Sequence, residues 1–140
     1  MIVGQDKESI AIVLHSGSYD RASYALSLAI ASLGSGIEVH ILLTYGGLLR
    51  FTKGHLEELG EETLEQFRRP IDRALGSGGI RPLEDQIADA KRLGLKLYAC
   101  ANAMANLNIV RDDLVPEVDE TMGLITFLKF ARSASINWYI

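Results

Sequence analysis

The chain has one cysteine, Cys100, among 140 residues. A lone cysteine closes no disulfide within its own chain and builds no structural zinc site of several cysteines, which suits a reducing compartment. Basic charge is also short. Fourteen Lys and Arg stand against eighteen Asp and Glu, a formal net charge of −4, which argues against a general nucleic-acid binder with its basic face. The pair Arg68-Arg69 is too small to make one. No apolar run approaches the roughly 18 residues of a membrane helix; the densest, residues 22–33, is interrupted by Ser23, Tyr24, Ser27 and Ser32. The opening residues, Met1 to Lys7, lack a basic leader followed by an apolar stretch and a small-residue cleavage site. The expected location is the cytoplasm. Glycine-rich phosphate loops are missing too. Gly76-Ser77-Gly78-Gly79 is not followed by Lys-Ser/Thr, and no G-x-G-x-x-G follows the first apolar run, so no nucleotide cofactor is expected. Three scattered histidines without paired spacing give no metal site.

What is present alternates between strand-like and helix-like patterns. Residues 9–14 form a short continuous apolar run, as in a central parallel strand. After the turn His15 to Asp20, residues Ala22, Ala25, Leu26, Ala29, Ile30 and Leu33 share one helical face. Ser18 or Asp20 can cap that helix and Gly34-Ser35-Gly36 can end it. The second strand, 37–43, carries Glu38 and His40 among apolar residues, which predicts a half-exposed strand near the sheet edge with His40 exposed. Residues 44–51 read as a loop, 55–67 as an acidic helix that starts near His55, and 70–75 as a further helical turn. Pro82 opens a helix with Leu83, Ile87 and Ala90 buried. Residues 95–99 form the third strand, followed by a short helix over 101–107 in which Met104 packs into the core. Residues 115–118 read as a fourth strand. Residues 121–134 read as a helix with Leu124, Phe127, Leu128 and Ala131 on one face, and 136–140 as a last strand.

The pattern predicts one α/β domain over residues 1–140. It is a three-layer, doubly wound fold with a mostly parallel sheet of about five strands in the flavodoxin-like order 2-1-3-4-5. In that order strands one and three are neighbours, and the loops after them flank the usual ligand crevice. Cys100 then lies at this switch point, opposite His15 to Tyr19.

A lone cysteine is most often a small buried hydrophobe. Cys100, however, joins a strand to a helix start, where free N–H groups and the helix dipole favour the thiolate. His15 can orient or protonate a sulfur ligand across the crevice; bonding to backbone at the end of its strand explains it equally well. Asp20 is explained by capping.

Three stretches carry a family resemblance: residues 12–22, from Ile12-Val13-Leu14-His15 through Asp20-Arg21-Ala22; Val39 to Leu48 with Thr44-Tyr45-Gly46; and Tyr98-Ala99-Cys100-Ala101-Asn102-Ala103-Met104 with Leu107-Asn108-Ile109. In these the chain resembles the DsrE/DsrF/TusD-like sulfur-relay proteins, in particular their DsrE-like, peroxiredoxin-like branch. The resemblance extends over nearly the whole chain. Two positions depart from the family pattern: Ala103 stands where the family often has Ser, and Asn108 where it has Gly. Losing the serine removes a hydroxyl able to bond a thiolate or persulfide, whereas Asn still tolerates a left-handed turn.

The resemblance implies a protein that takes sulfane sulfur on Cys100 as a persulfide or thiosulfonate adduct. It would pass that sulfur to a TusA-like carrier or another thiol protein, without metal or cofactor. Cys100 is then the catalytic residue, with His15, Tyr19, Thr44 and Asn102 as substrate-binding candidates. The family also implies a homotrimer or related homo-oligomer; residues 44–79, with Tyr45, Leu48, Leu49 and Phe51, read as an interface or lid, since an apolar loop of this size rarely stays exposed. Two other readings stand beside this one: a small oligomeric binding or assembly module with an inert cysteine, and a thiol peroxidase whose resolving thiol comes from another molecule.

Overall fold

A computed structural model describes residues 7–140; residues 1–6, which carry most of the leader expectation, lie outside the described residues. Five strands, β1 (Ser9–Leu14), β2 (Glu38–Leu43), β3 (Lys96–Cys100), β4 (Glu120–Met122) and β5 (Ile136–Tyr139), form one sheet in the order β4-β3-β2-β1-β5. All four pairings are parallel. The helices are α1 (Tyr19–Gly34), α2 (Tyr45–Arg50), α3 (Glu65–Ser77), α4 (Leu83–Arg92), α5 (Ala101–Leu107) and α6 (Leu124–Ser133). The doubly wound α/β class is the one the sequence pattern predicts. Within it, β1 pairs with β2 and β5, and β2 stands between β1 and β3. The expected contact between strands one and three is therefore not made. The chain winds outward from β1 to β4 and then returns to the far side of β1, so its reversal lies between β1 and β5.

One face of the sheet is apolar throughout. Ile10, Ile12, Leu14, Val39, Ile41, Leu43, Leu97 and Ala99 are buried. Helix α1 covers them with Ala22, Ala25, Leu26 and Ala29, and α4 packs beside it through Leu83, Ile87 and Ala90. The small alanines of α1 let the two helices sit close. Ser18 caps α1 by accepting the Arg21 N–H, and Gly36, at φ 82°, turns the chain toward β2.

The other face explains where the pattern misleads. His40 is buried, and β2 is the central strand of the sheet. The Nδ1 of His40 lies 2.8 Å from the Tyr98 hydroxyl, and its ring stacks on Phe130 at 4.4 Å. A polar side chain with a partner and an aromatic cover can occupy a core position, although alternation alone marks it as exposed. Tyr98 also meets Phe127 edge-on. Thus α6 buries Phe127 and half-buries Phe130, whereas Leu124 and Leu128, expected inside, are exposed.

Other boundaries shift for physical reasons. The fourth strand is Glu120–Met122, because Val115 and Val118 are buried in a loop, with the Val115 N–H on the Phe51 carbonyl. Residues 55–64 form turns, α3 runs through Pro70, and Gly78 at φ 82° ends it. Residues 45–50 form a short helix, with Leu48 buried. Among the described residues, no helix is long and apolar enough to cross a membrane.

Burial pushes the Tyr98 hydroxyl up to about 12, with the Glu120, Asp119 and Glu38 carboxylates adding to it. Burial also holds His40 below the ordinary histidine value; Lys96 adds to this and Glu38 opposes it. Neutral His40 therefore contributes stability that is present above the unfolded value of about 6.5 and is lost as pH falls through the lower folded value. Urea denaturation at about pH 7.5 and about pH 5 should show a loss of stability at the acid end. His40→Gln should lose less over the same interval; an equal loss would place the effect elsewhere.

Candidate functional site

The carboxyl ends of β1, β2 and β3 put three loops side by side. Leu14 pairs with Leu43 and Leu43 with Ala99, so the next residues, His15, Thr44 and Cys100, form a row along the sheet edge. Thr44 is the register neighbour of Cys100; the two stand at the N-cap positions of α2 and α5 and make no side-chain cap hydrogen bond. Two short helices thus leave the sheet next to each other. Tyr45, the first residue of α2, has φ 43°. A left-handed backbone at a bulky residue costs about 1 kcal/mol or more. The Tyr45 ring lies 5.6 Å from the His15 ring, and its hydroxyl accepts a hydrogen bond from Asn106 Nδ2 at 2.8 Å. Tyr45 therefore links the exit of β1 to the far end of α5.

Cys100 itself is 2 % exposed. Its neighbour in β4 is Met122. Ala103 and Met104, the inward residues of α5, are buried, with the Thr121 hydroxyl 3.6 Å from the Met104 sulfur. Asn108 ends α5 at φ 54°, a conformation in which Asn can stand for Gly.

The other candidates divide into two groups. Thr44 lies beside Cys100 and is buried, Asn102 is exposed on α5, and His15 is exposed with its backbone N–H on the Ile140 carbonyl. Tyr19 faces the interior instead. It is fully buried, its hydroxyl bonds Glu57 Oε1 at 2.9 Å, and the Arg50 guanidinium lies 5.4 Å from its ring centre. Burial, reinforced by the Glu57 carboxylate, raises the Tyr19 hydroxyl above its ordinary range.

Arg50 is the residue that pattern reading overlooks. It is 4 % exposed, and all its hydrogen-bond partners are backbone carbonyls. Nε and Nη2 bond Gly17 O at 3.1 and 2.6 Å; Nη1 bonds His55 O, Leu56 O and Glu58 O; Nη2 also bonds Leu59 O at 2.9 Å. Burial lowers its pKa against the opposing charges of Glu58, Glu57 and Glu62. The guanidinium thus folds residues 55–62 back over the turn after β1. Three side chains complete this strap. Glu57 also accepts the Leu83 and Glu84 N–H groups at the start of α4, Thr63 accepts the Tyr19 N–H at 2.9 Å, and Glu62 accepts the Gly17 N–H at 2.7 Å. The glycines here reflect close approach. A Cβ on Gly47 would stand 2.2 Å from Leu14 O, and one on Gly46 2.0 Å from Glu62 Oε2.

A sequence profile described as the DsrE/DsrF/DrsH-like family matches residues 69–139, just over half of the chain. The chain belongs to the DsrE/DsrF/DrsH-like family. Cys100, Ala103 and Asn108 all fall inside the matched segment. The uncharacterized protein YrkE of Bacillus subtilis (strain 168) is 26% identical over 152 aligned positions, covering 92% of this chain and 94% of that protein. The fold is shared with the ychN protein from E. coli (TM-score 0.63, 11% identity, 96% of this chain and 100% of the other). It is also shared with MTH1491 from Methanobacterium thermoautotrophicum, a protein of unknown function (TM-score 0.59, 10% identity, 94% and 99%).

In this DsrE-like chain the strap depends on Arg50. Arg50→Ala should destabilise the fold by about 3 kcal/mol, because several buried carbonyls lose a charged donor together. Amide exchange in residues 55–63 should accelerate more than in β2. Arg50→Lys should restore little, since an ammonium lacks the planar fork. Unchanged exchange in the strap would show that it holds without the guanidinium.

Proposed function

We propose that this protein is a cytoplasmic sulfur carrier that accepts sulfane sulfur on Cys100 and passes it to a partner thiol. The observation that carries the reading is the place of Cys100. The only thiol of a DsrE/DsrF/DrsH-like chain joins the end of β3 to the start of α5. The chemistry needs nothing more than thiols. The Cys100 thiolate attacks the outer sulfur of a donor persulfide, the sulfur–sulfur bond of the donor breaks, and the donor leaves as a thiolate. A second exchange of the same kind moves the sulfur to the acceptor, with no net oxidant or reductant.

Thr44 and Asn102 flank the thiol and are the substrate contacts closest to it in the chain's layout. His15 acts from the far side of Tyr45. Tyr19 lies buried under the strap, bonded to Glu57 and beside Arg50, and has no role at the thiol in this reading. The partner is a TusA-like carrier or another thiol protein, and the working unit is a homotrimer or related homo-oligomer built on a single domain. With Cys100 2 % exposed, sulfur reaches it only after a local opening of the packing around it. Beside it, α2 and α5 pack on each other and share an exposed hydrogen bond from Asn106 to the Tyr45 hydroxyl, and such bonds contribute little net stability.

The same burial, with Ala103 in place of the family serine, favours the second reading: an oligomeric binding module with an inert cysteine. Incubation with a sulfane-sulfur donor followed by intact mass spectrometry separates the two. The sulfur-carrier reading predicts an adduct one sulfur atom heavier in the native protein and none in Cys100→Ser. A native protein that gains no sulfur, under conditions that load a TusA-like control, would overturn it. Ala103→Ser should lengthen the lifetime of the adduct, by roughly threefold for one added hydrogen bond to the anion. An unchanged lifetime would show that the missing hydroxyl does not act on the anion.

A further inference from the structure

In open α/β sheets, ligands bind outside the carboxyl ends of the strands where the winding reverses. Here that point lies between β1 and β5, two strands away from Cys100. Two cavities meet there. One, of about 270 Å³, is lined by His15, Ser16, Arg21, Glu62, Tyr139 and Ile140. The other, of about 380 Å³, lies under the strap, with Gly17, Gly46, Leu49 and Arg50 on its wall and Glu58, Glu61 and Glu62 around it. Glu62 lines both and is the side chain common to the two.

The Glu62 carboxylate fills a seat shaped for an oxyanion. Its Oε2 accepts the Gly17 N–H at 2.7 Å. A Cβ on either Gly17 or Gly46 would come within 2.6 or 2.0 Å of that same oxygen. The two turns also approach each other here, a Cβ on Gly17 standing 2.6 Å from Gly46 O and one on Gly46 2.7 Å from Gly17 N, so the glycines open the backbone N–H to the carboxylate as they let the turns meet. Arg50 lies close enough to feel its charge, and His15 and Arg21 face the neighbouring cavity. Among the ion pairs of the described residues, Glu62 is matched with no cation.

We propose that the cleft between β1, β5 and the strap is a binding site for a small oxyanion, carboxylate or sulfur oxyanion, whose seat Glu62 occupies as an internal stand-in. When Glu62 swings out, the two cavities join. The Gly17 N–H is then free to the ligand, Arg21 and Arg50 supply positive charge, the His15 ring offers a polar nitrogen, and the exposed Tyr139 ring gives an apolar wall. Glu58 is engaged by His55 at 3.0 Å, and Glu61 stands on the rim. The site does not depend on the chemistry of Cys100 and stands or falls separately from the sulfur-carrier reading.

The test follows the Gly17 amide by NMR during titration with acetate or thiosulfate at constant ionic strength, with chloride as the balancing anion. Glu62→Ala should show a saturable shift of that amide, with affinity roughly tenfold above the native protein, because the resident carboxylate no longer competes for the donor. Adding Arg21→Ala should weaken binding by roughly threefold. Either probe binding in this way supports the proposal, and the comparison of the two tells which geometry the seat prefers. If Glu62→Ala is unfolded alone, acetate must restore its native spectrum. A linear shift equal to that of chloride, or failure of acetate to refold an unfolded variant, would overturn the proposal.

Discussion

A guanidinium removed from water must find acceptors for its N–H groups, and Arg50 finds them in the carbonyls of one turn and one strap. This requirement shapes the carboxyl edge of the molecule. Residues 55–62 form no helix or strand and set Leu56 and Leu59 against the core, so their backbone carbonyls need partners outside any ladder. By taking Gly17, His55, Leu56, Glu58 and Leu59 as its partners, Arg50 converts the strap into a fixed wall. The strap in turn delivers Glu57 to α4, Thr63 to α1 and Glu62 to the turn after β1. Glycines 17, 46 and 47 follow from the same constraint, because the backbone segments approach too closely for a Cβ.

The edge is divided by its topology. Cys100 belongs to the β2–β3 side, where β3 runs into α5 next to α2. The switch-point cleft belongs to the β1–β5 side, under the strap. Tyr45 and His15 lie between them. A buried thiol on one side and a Glu62 carboxylate bonded to the Gly17 N–H on the other are both closed arrangements. Local openings of this sort are low in free energy compared with global unfolding. Buried at 2 % exposure, the Cys100 sulfur is reached only through such a local opening.

Much of the fold could be read from residue pattern because the apolar face of the sheet is unambiguous. Ile10, Ile12 and Leu14, the alanine face of α1 and the Leu83-Ile87-Ala90 stripe each have one plausible partner. The misreadings come from tertiary satisfaction of polar groups. His40 reads as exposed because its partners, Tyr98 and Phe130, are distant in sequence. Residues 115–118 read as a strand because buried loops also need apolar side chains. The neighbours of β1 could not be deduced, since both sheet orders use the same local units. At the candidate site, the strand-to-helix junction expected at Cys100 is present, because the apolar run of β3 and the small residues of α5 are both local signals. Arg50 gives no such sign: one arginine in an apolar stretch resembles many others, and only the return of residues 55–59 reveals its role.

The central claim is that Cys100 hands sulfur on. The most direct measurement is transfer itself. The protein is loaded with one sulfur atom on Cys100, freed of donor, and mixed with a TusA-like carrier while both masses are followed in time. The account predicts that sulfur leaves Cys100 and appears on the carrier thiol at the same rate. It is contradicted if Cys100 stays loaded in the presence of the carrier, or if the sulfur is lost without reaching it.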